Sequence, residues 1–291
     1  MTSIVPKKLA IYYGIPSLVN NSNSSITSAV NTFKQYDLLV LGDGPEVPSH
    51  QDHNNTISII NDANMINTQV YGYIDSTISI SSFTTKVSQW KAMGNVKGIF
   101  CDRFGYDFNV TRTKQNSILN LVHSNNLKAF VDAWNPDDVF SSQIQNPNNL
   151  TGTATVIKNT DIYLAQSYQI INGDYQDPTF WKAKADKMQS YKQTFGTLMA
   201  CVTTYDTRAY DQTKADYAYY SCILYNFDSW GFGEYLYSAP SSLLPFRPRK
   251  DVLGTKFVND ITLPAGGVYD RNVNIGIHID TYTHTVSNVT S

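Results

Sequence analysis

Residues 97–102 read Lys97-Gly98-Ile99-Phe100-Cys101-Asp102, a short apolar run closed by a carboxylate. The same design stands 28 residues upstream in Gln69-Val70-Tyr71-Gly72-Tyr73-Ile74-Asp75 and 31 residues downstream in Lys128-Ala129-Phe130-Val131-Asp132. Further runs begin at Leu9, Asp37, Asp161, Thr197 and Ser229, so the eight follow one another at intervals of 28, 32, 28, 31, 33, 36 and 32 residues. A beat near thirty is the length of one strand, one helix and their connections. Runs that are apolar throughout, rather than alternating, belong to strands buried on both faces, as in a parallel sheet covered by helices.

The segments between the runs carry helical periodicity. Phe83, Val87, Trp90 and Met93 form one apolar stripe that ends at Gly94. Ile118, Leu121 and Val122 repeat the pattern behind Thr111, a candidate N-cap. Trp181, Met188, Tyr191 and Phe195 fall at helical spacing, as do Tyr217, Tyr220, Ile223 and Leu224. Eightfold strand–helix alternation predicts an α/β fold, a closed (β/α)₈ barrel over residues 1–239. No GxGxxG or GxxxxGK follows the first run, so neither a dinucleotide nor a nucleoside triphosphate is expected, and no cofactor is implied. After Tyr237 the beat stops. Pro240, Pro245, Pro248 and Pro264 punctuate the chain, and Val273, Ile275, Ile277 and Ile279 then alternate with polar residues. Residues 240–291 are therefore expected to form an extended appendage with β-strand. A strand without a partner in its own sheet is an edge open to another chain.

The composition narrows the function. Of 291 residues 42% are hydrophobic, enough for a core, while 16% are charged, well below the roughly 25% of ordinary soluble domains. The net charge is −2, and the basic run Arg247-Pro248-Arg249-Lys250 is too short to track phosphates, so a nucleic-acid partner is excluded. No apolar stretch approaches the roughly 18 residues of a membrane span, and the first residues lack the apolar core of a secretory signal peptide. Cys101, Cys201 and Cys222 sit in apolar runs and read as buried free thiols. Twenty tyrosines and abundant Asn, Ser and Thr suit a surface exposed outside cells. A leaderless chain with such a surface is expected to be an extracellular or virion protein, such as a phage tail component. Its expected partners are a glycan and, through the appendage, other virion proteins or a second copy of itself.

In a (β/α)₈ barrel the working residues stand at the C-terminal ends of the strands. Those ends are rich in carboxylates, with Asp43, Asp75, Asp102, Asp132, Asp206 and Glu234 at six of the eight. Aromatic residues stand among them: Tyr13, Trp134, Tyr168 and Tyr205. Carboxylates for proton transfer and aromatic faces for stacking are what a glycan site needs, so an acidic, aromatic cleft is expected. Asp102 and Glu234 are the candidate catalytic pair. Tyr13, Asp43, Asp75, Arg103, Asp132, Trp134, Gln166, Tyr168 and Tyr205 are the candidate substrate contacts. Each of the isolated aspartates has a competing role as a helix or turn cap. His50 and His53 share a polar loop without a third ligand, so no metal site is expected.

Gly98-Ile99-Phe100-Cys101-Asp102, followed by Gly105-Tyr106-Asp107, resembles the fourth strand of glycoside hydrolase family 114, the endo-α-1,4-polygalactosaminidase-like barrels, and of the related spherulin-4-like proteins. Val70-Tyr71-Gly72-Tyr73-Ile74-Asp75 is similar to their third strand, and Trp90 fits the helix between the two. The resemblance spans about residues 8–240 and is firm over 69–108. It implies a (β/α)₈ barrel acting on an amino-sugar polymer, with Asp102 catalytic. The family's strand-six glutamate falls at Gln166, whose amide cannot supply a proton. The resemblance thus implies either that Glu234 or another acid takes the second role, or that the barrel binds sugar without cleaving it.

Overall fold

A computed structural model describes residues 4–205, 209–249, 257, 268–272 and 276–289. Asp206, Val273 and Ile275 lie outside the described residues. Eight parallel strands close into a barrel: β1 (Lys7–Tyr12), β2 (Leu38–Leu41), β3 (Gln69–Asp75), β4 (Val96–Asp102), β5 (Lys128–Asp132), β6 (Ile162–Ala165), β9 (Leu198–Val202) and β10 (Ser229–Gly231). Strands β7 (Ile170–Ile171) and β8 (Asp174–Tyr175) form a small hairpin above β6. The barrel closes where Lys7 and Lys8 of β1 pair with Ser229 and Trp230 of β10. The fold is the (β/α)₈ barrel that the thirty-residue beat predicts.

Alternation along each strand divides the core in two. Leu9, Ile11, Leu38, Val40, Tyr71, Phe100, Phe130, Ile162, Leu164, Ala200 and Val202 fill the barrel interior. Their neighbours, such as Ala10, Leu39, Val70, Ile99, Cys101 and Val131, face the helices. Two glycines permit close approaches. A Cβ on Gly72 would stand 2.1 Å from the buried Trp90 indole, and one on Gly98 would stand 2.2 Å from the Lys128 carbonyl oxygen.

The helices follow the stripes. They are α1 (Ile26–Phe33), α2 (His53–Ile60), α3 (Ile80–Ala92), α4 (Arg112–Ser124), α5 (Pro136–Phe140), α6 (Pro178–Phe195) and α7 (Gln212–Leu224). Phe83, Val87 and Trp90 of α3 are buried, and the Thr111 hydroxyl accepts from Lys114 N–H at 3.4 Å to cap α4. All three cysteines are free and buried.

Among the described residues no α-helix follows β10. A turn at Tyr235–Ser238 and an extended strap over residues 239–249 take its place. Asn20 pins the strap, its side-chain amide donating to Leu244 O at 2.9 Å and accepting from Leu244 N–H at 2.6 Å. Phe246 then packs on Tyr36, and Arg249 donates to Pro6 O at 2.5 Å. Farther along, β11 (Val268–Asn272), β12 (Gly276–Asp280) and β13 (Thr285–Val289) make an antiparallel sheet. The alternating strand is its middle member, paired on both sides, so its edges are not open. Ile277 and Ile279 are buried in the same core as α7, and His284 stacks on Tyr175 at 3.8 Å. Covered by barrel and sheet alike, α7 is buried from Tyr217 to Leu224.

Candidate active site

Strand register assembles the site. Phe100 pairs with Phe130, and Cys101 with Val131, so Asp102 and Asp132 stand next to each other at the ends of adjacent strands. Both continue the inward-facing row of their strand, two residues beyond a phenylalanine of the barrel interior. Their carboxyl groups are close enough to perturb each other, and a proton between them would relieve the like charge. Burial, and then the charge of Asp102, push Asp132 well above the usual carboxylate range. Burial raises Asp102 too, against the opposing effects of hydrogen bonds from Tyr73 and Asp132 and of the nearby Arg103. Of the two, Asp132 is the better home for a proton.

Tyrosines wall this pair. Tyr73 donates its hydroxyl to Asp102 Oδ2 at 2.9 Å. Burial and the Asp102 charge raise the Tyr73 phenol, so it stays a donor. Tyr13 meets Tyr73 edge-on at 5.2 Å and Tyr237 at 5.1 Å. Tyr237 hangs over the mouth from an unusual turn, in which Leu236, Tyr237 and Ser238 all have positive φ (42°, 53° and 63°). Each such residue costs about 1–2 kcal/mol relative to right-handed backbone. Tyr13 N–H anchors the turn by donating to Tyr237 O at 3.2 Å.

Lys184 reaches the same place from α6. Its Nζ lies 4.5 Å above the Trp134 ring and donates to Gln166 O at 3.5 Å. Burial lowers its pKa to about 8, against the attraction of Asp132. Trp134 itself is 49% exposed. It lines a cleft of about 540 Å³ together with Asn135, Ile171, Phe180, Lys184 and Lys187.

The structure thus gathers Asp102, Asp132, Tyr13, Trp134 and Gln166 at the mouth and places the other candidates elsewhere. Glu234 is bound at both oxygens by Arg247, at 2.5 and 2.9 Å, and lines the barrel's flank with Lys8, Tyr36 and Phe246. It does not face Asp102 as a second catalytic acid, because the strap supplies it with a guanidinium. Tyr168 is a core residue: it is 1% exposed, and its hydroxyl donates to Ser221 O at 3.2 Å. Tyr205 is buried against Phe232 at 4.6 Å, beside a separate cleft shared with Asp174, Tyr210 and Asp211. Asp75 caps Thr77, accepting from N–H and hydroxyl at 2.8 and 2.7 Å, and pairs with Arg103 at 3.3 Å on the rim. Asp43 occupies an exposed left-handed turn (φ 69°).

Three site residues, Tyr73, Lys184 and Tyr237, were not among the candidates, and Tyr73 stood in view two residues before the strand-end Asp75. Lys184 carried a signal, for it interrupts the buried α6 stripe of Trp181, Ala185 and Met188. Tyr237 carried none, since three successive left-handed residues without a glycine have no sequence signature. His50 and His53 serve their own loop, in contact with Asp52 N–H at 3.1 Å and Pro45 O at 2.8 Å. Among the described residues no group of three or more His, Cys, Asp or Glu side chains is placed to hold a metal, and no helix is long and apolar enough to cross a membrane.

No family model matches the chain, and no curated protein does. Similar solved structures are (β/α)₈ enzymes. They include type I 3-dehydroquinate dehydratase from Clostridium difficile (9% identity, 82% of this chain and 87% of that chain, TM-score 0.47). Malate synthase from Haloferax volcanii is similar at 11% identity over 86% of this chain and 77% of that one (TM-score 0.46). Dihydropteroate synthase from Xanthomonas albilineans is similar at 9% identity over 82% and 91% (TM-score 0.43). The likeness is one of chain path, and no residue role is carried across it.

Proposed function

We propose that this barrel engages a polysaccharide across its C-terminal mouth and hydrolyses it, with the Asp102–Asp132 pair delivering the proton to the leaving sugar oxygen. The observation that carries this reading is the pair itself. A desolvated carboxyl pair is an unfavourable way to hold a fold together, but it keeps an acid protonated to higher pH than a free aspartate, which favours proton delivery in glycosidic cleavage. The exposed Trp134 and Phe180 beside it offer apolar faces to sugar rings. The two act as one acid: as the proton of the pair reaches the leaving oxygen the glycosidic C–O bond breaks, and a water molecule captures the anomeric carbon and returns its proton to the pair. Amino-sugar polymers are the first substrates to try, from the resemblance over residues 69–108. The low charge supports a position outside the cell, in a phage tail or baseplate that meets the host surface.

A second reading, glycan binding without cleavage, is favoured by the engagement of Glu234 with Arg247 and by the amide at Gln166. Reducing-end release from purified surface polysaccharides separates the two. Hydrolysis predicts release that Asp102→Asn abolishes. Binding that survives Asp102→Asn, with no release from the parent protein, establishes the second reading. Absence of both binding and release overturns both.

A further inference from the structure

The cleft beside the acid pair has the opposite charge from the mouth it joins. Of the side chains lining it, two are lysines and, among the described residues, none is a carboxylate. Lys187 is paired with Asp137, which leaves Lys184 as the cation facing the cleft. An ammonium has three donors. Among the described residues the one hydrogen bond made by Lys184 is the long contact to Gln166 O, at 3.5 Å. Around it lie the Trp134 ring below and the acid pair to one side, where Asp102 already receives the Tyr73 hydroxyl, and Asp107 and Cys201 also act on its charge.

We propose that this cleft takes a carboxylate-bearing sugar, a uronic acid residue of an acidic polysaccharide, and that Lys184 is the residue that selects it. The proposal rests on the polysaccharide reading above and adds the charge of the polymer. A pyranose lying along Trp134 stays beside Nζ. There a C5 carboxylate meets donors left without protein acceptors, while an uncharged hydroxymethyl leaves a poorly hydrated cation less well satisfied. The aromatic walls Trp134 and Phe180 favour a ring over a small free anion.

The test is equilibrium binding of the intact protein at pH 6 and low salt to four polymers. Hyaluronan carries uronate and N-acetylated amino sugar, polygalacturonate carries uronate alone, chitin oligosaccharides carry amino sugar alone, and dextran carries neither. Binding of the two uronate polymers at least about tenfold tighter than the others is expected. Lys184→Met should weaken it by about 10- to 100-fold, with Lys184→Arg retaining most of it. Lys187→Met, at an exposed position, should weaken it by about threefold or less and steepen no salt dependence. Thermal melts confirm that each variant is folded. Equal or tighter binding of chitin oligosaccharides or dextran overturns this proposal and leaves the polysaccharide reading standing. Unchanged uronate binding in folded Lys184→Met overturns it as well. Failure to bind any of the four overturns the proposal and counts against the polysaccharide reading.

Discussion

Asp132 and Asp102 stand side by side at the ends of adjacent strands, and burial raises both carboxyl groups, with Asp132 raised further by the charge of Asp102. The sign of the resulting pH dependence is fixed. An aspartate with a folded pKa above its unfolded value of about 3.9 binds more protons in the native state. The stability it contributes is fully present below that unfolded pKa and is lost as pH rises toward the folded one. Chemical denaturation followed from pH 4 upward should show that loss, and Asp132→Asn should flatten it. The amide still donates to Asp102 but cannot ionise, so the variant should be at least as stable as the parent near pH 7. Glycan hydrolysis should nevertheless fall by about 10²–10⁴-fold, the range for removal of a general acid. A hydrolytic rate within tenfold of the parent would remove the pair from the chemistry.

Lys184 sets a second pH limit, on binding. Burial lowers its ammonium to about 8, so its charge is lost within the range of an ordinary titration. Affinity for an anionic polymer should be level from pH 6 to 7 and fall as pH passes through about 8, with bound carboxylate shifting the fall upward. Lys184→Arg should move the fall beyond pH 9, since a guanidinium does not titrate there. An identical profile for parent and arginine variant would assign the dependence to another group.

Trp134 links platform and cation, with Lys184 Nζ 4.5 Å above its ring. At 49% exposure it contributes little to the core, so Trp134→Ala should change thermal stability by only a few degrees. Glycan affinity should drop about tenfold or more through loss of stacking. The Trp134→Ala and Lys184→Met effects on binding should not add, because the two side chains are in contact. Isothermal titration of the two single variants and the double variant provides the cycle, and strict additivity would contradict the contact.

Glu234 and Arg247 form a structural clasp. The Glu234 side chain is 12% exposed and that of Arg247 22%, and the guanidinium also lies 4.0 Å from the Tyr210 ring centroid. Arg247→Ala strands a mostly buried carboxylate and should cost about 2–3 kcal/mol, somewhat less than a fully buried pair because both groups keep some water. Glu234→Gln should cost less, since the amide oxygen still accepts, and should leave glycan hydrolysis unchanged. A hydrolytic loss in Glu234→Gln as deep as that of Asp102→Asn would return Glu234 to the catalytic role that its strand-end position suggested.

Much of this arrangement was legible in the chain because barrel geometry is periodic. The thirty-residue beat gave the strands, and alternation along them put Asp102 and Asp132 in the inward row above Phe100 and Phe130. That both were acids was visible. That they form a pair depended on the β4–β5 register, which short apolar runs leave open by a residue or two. Tyr168 and Tyr205 misled because the turns after β6 and β9 fold their rings back into the core, and a phenol hides its polarity by finding one backbone acceptor, as Tyr168 does on Ser221. Glu234 misled for a longer-range reason. Its partner Arg247 comes from the strap that stands where an eighth helix would have been, and no periodicity announces a strap.

The turn at residues 236–238 tests whether strain at the mouth is purposeful. Leu236 is 54% exposed and left-handed (φ 42°, ψ 39°), so its side chain adds little packing while its Cβ opposes the backbone. Leu236→Gly removes about 1–2 kcal/mol of conformational penalty and adds about 0.5–1 kcal/mol of unfolded-state entropy. The net effect should lie between neutral and about 1 kcal/mol stabilising, where glycine at an ordinary exposed position would destabilise by about as much. The turn holds Tyr237 over Tyr13 and against the barrel interior, so Tyr237→Ala should weaken glycan binding and also lower the melt. Leu236→Gly should weaken it less, through a looser Tyr237. Denaturant titration and glycan binding on the same two variants decide the matter, and a clear destabilisation by Leu236→Gly would show that the left-handed turn is held by packing rather than opposed by its backbone.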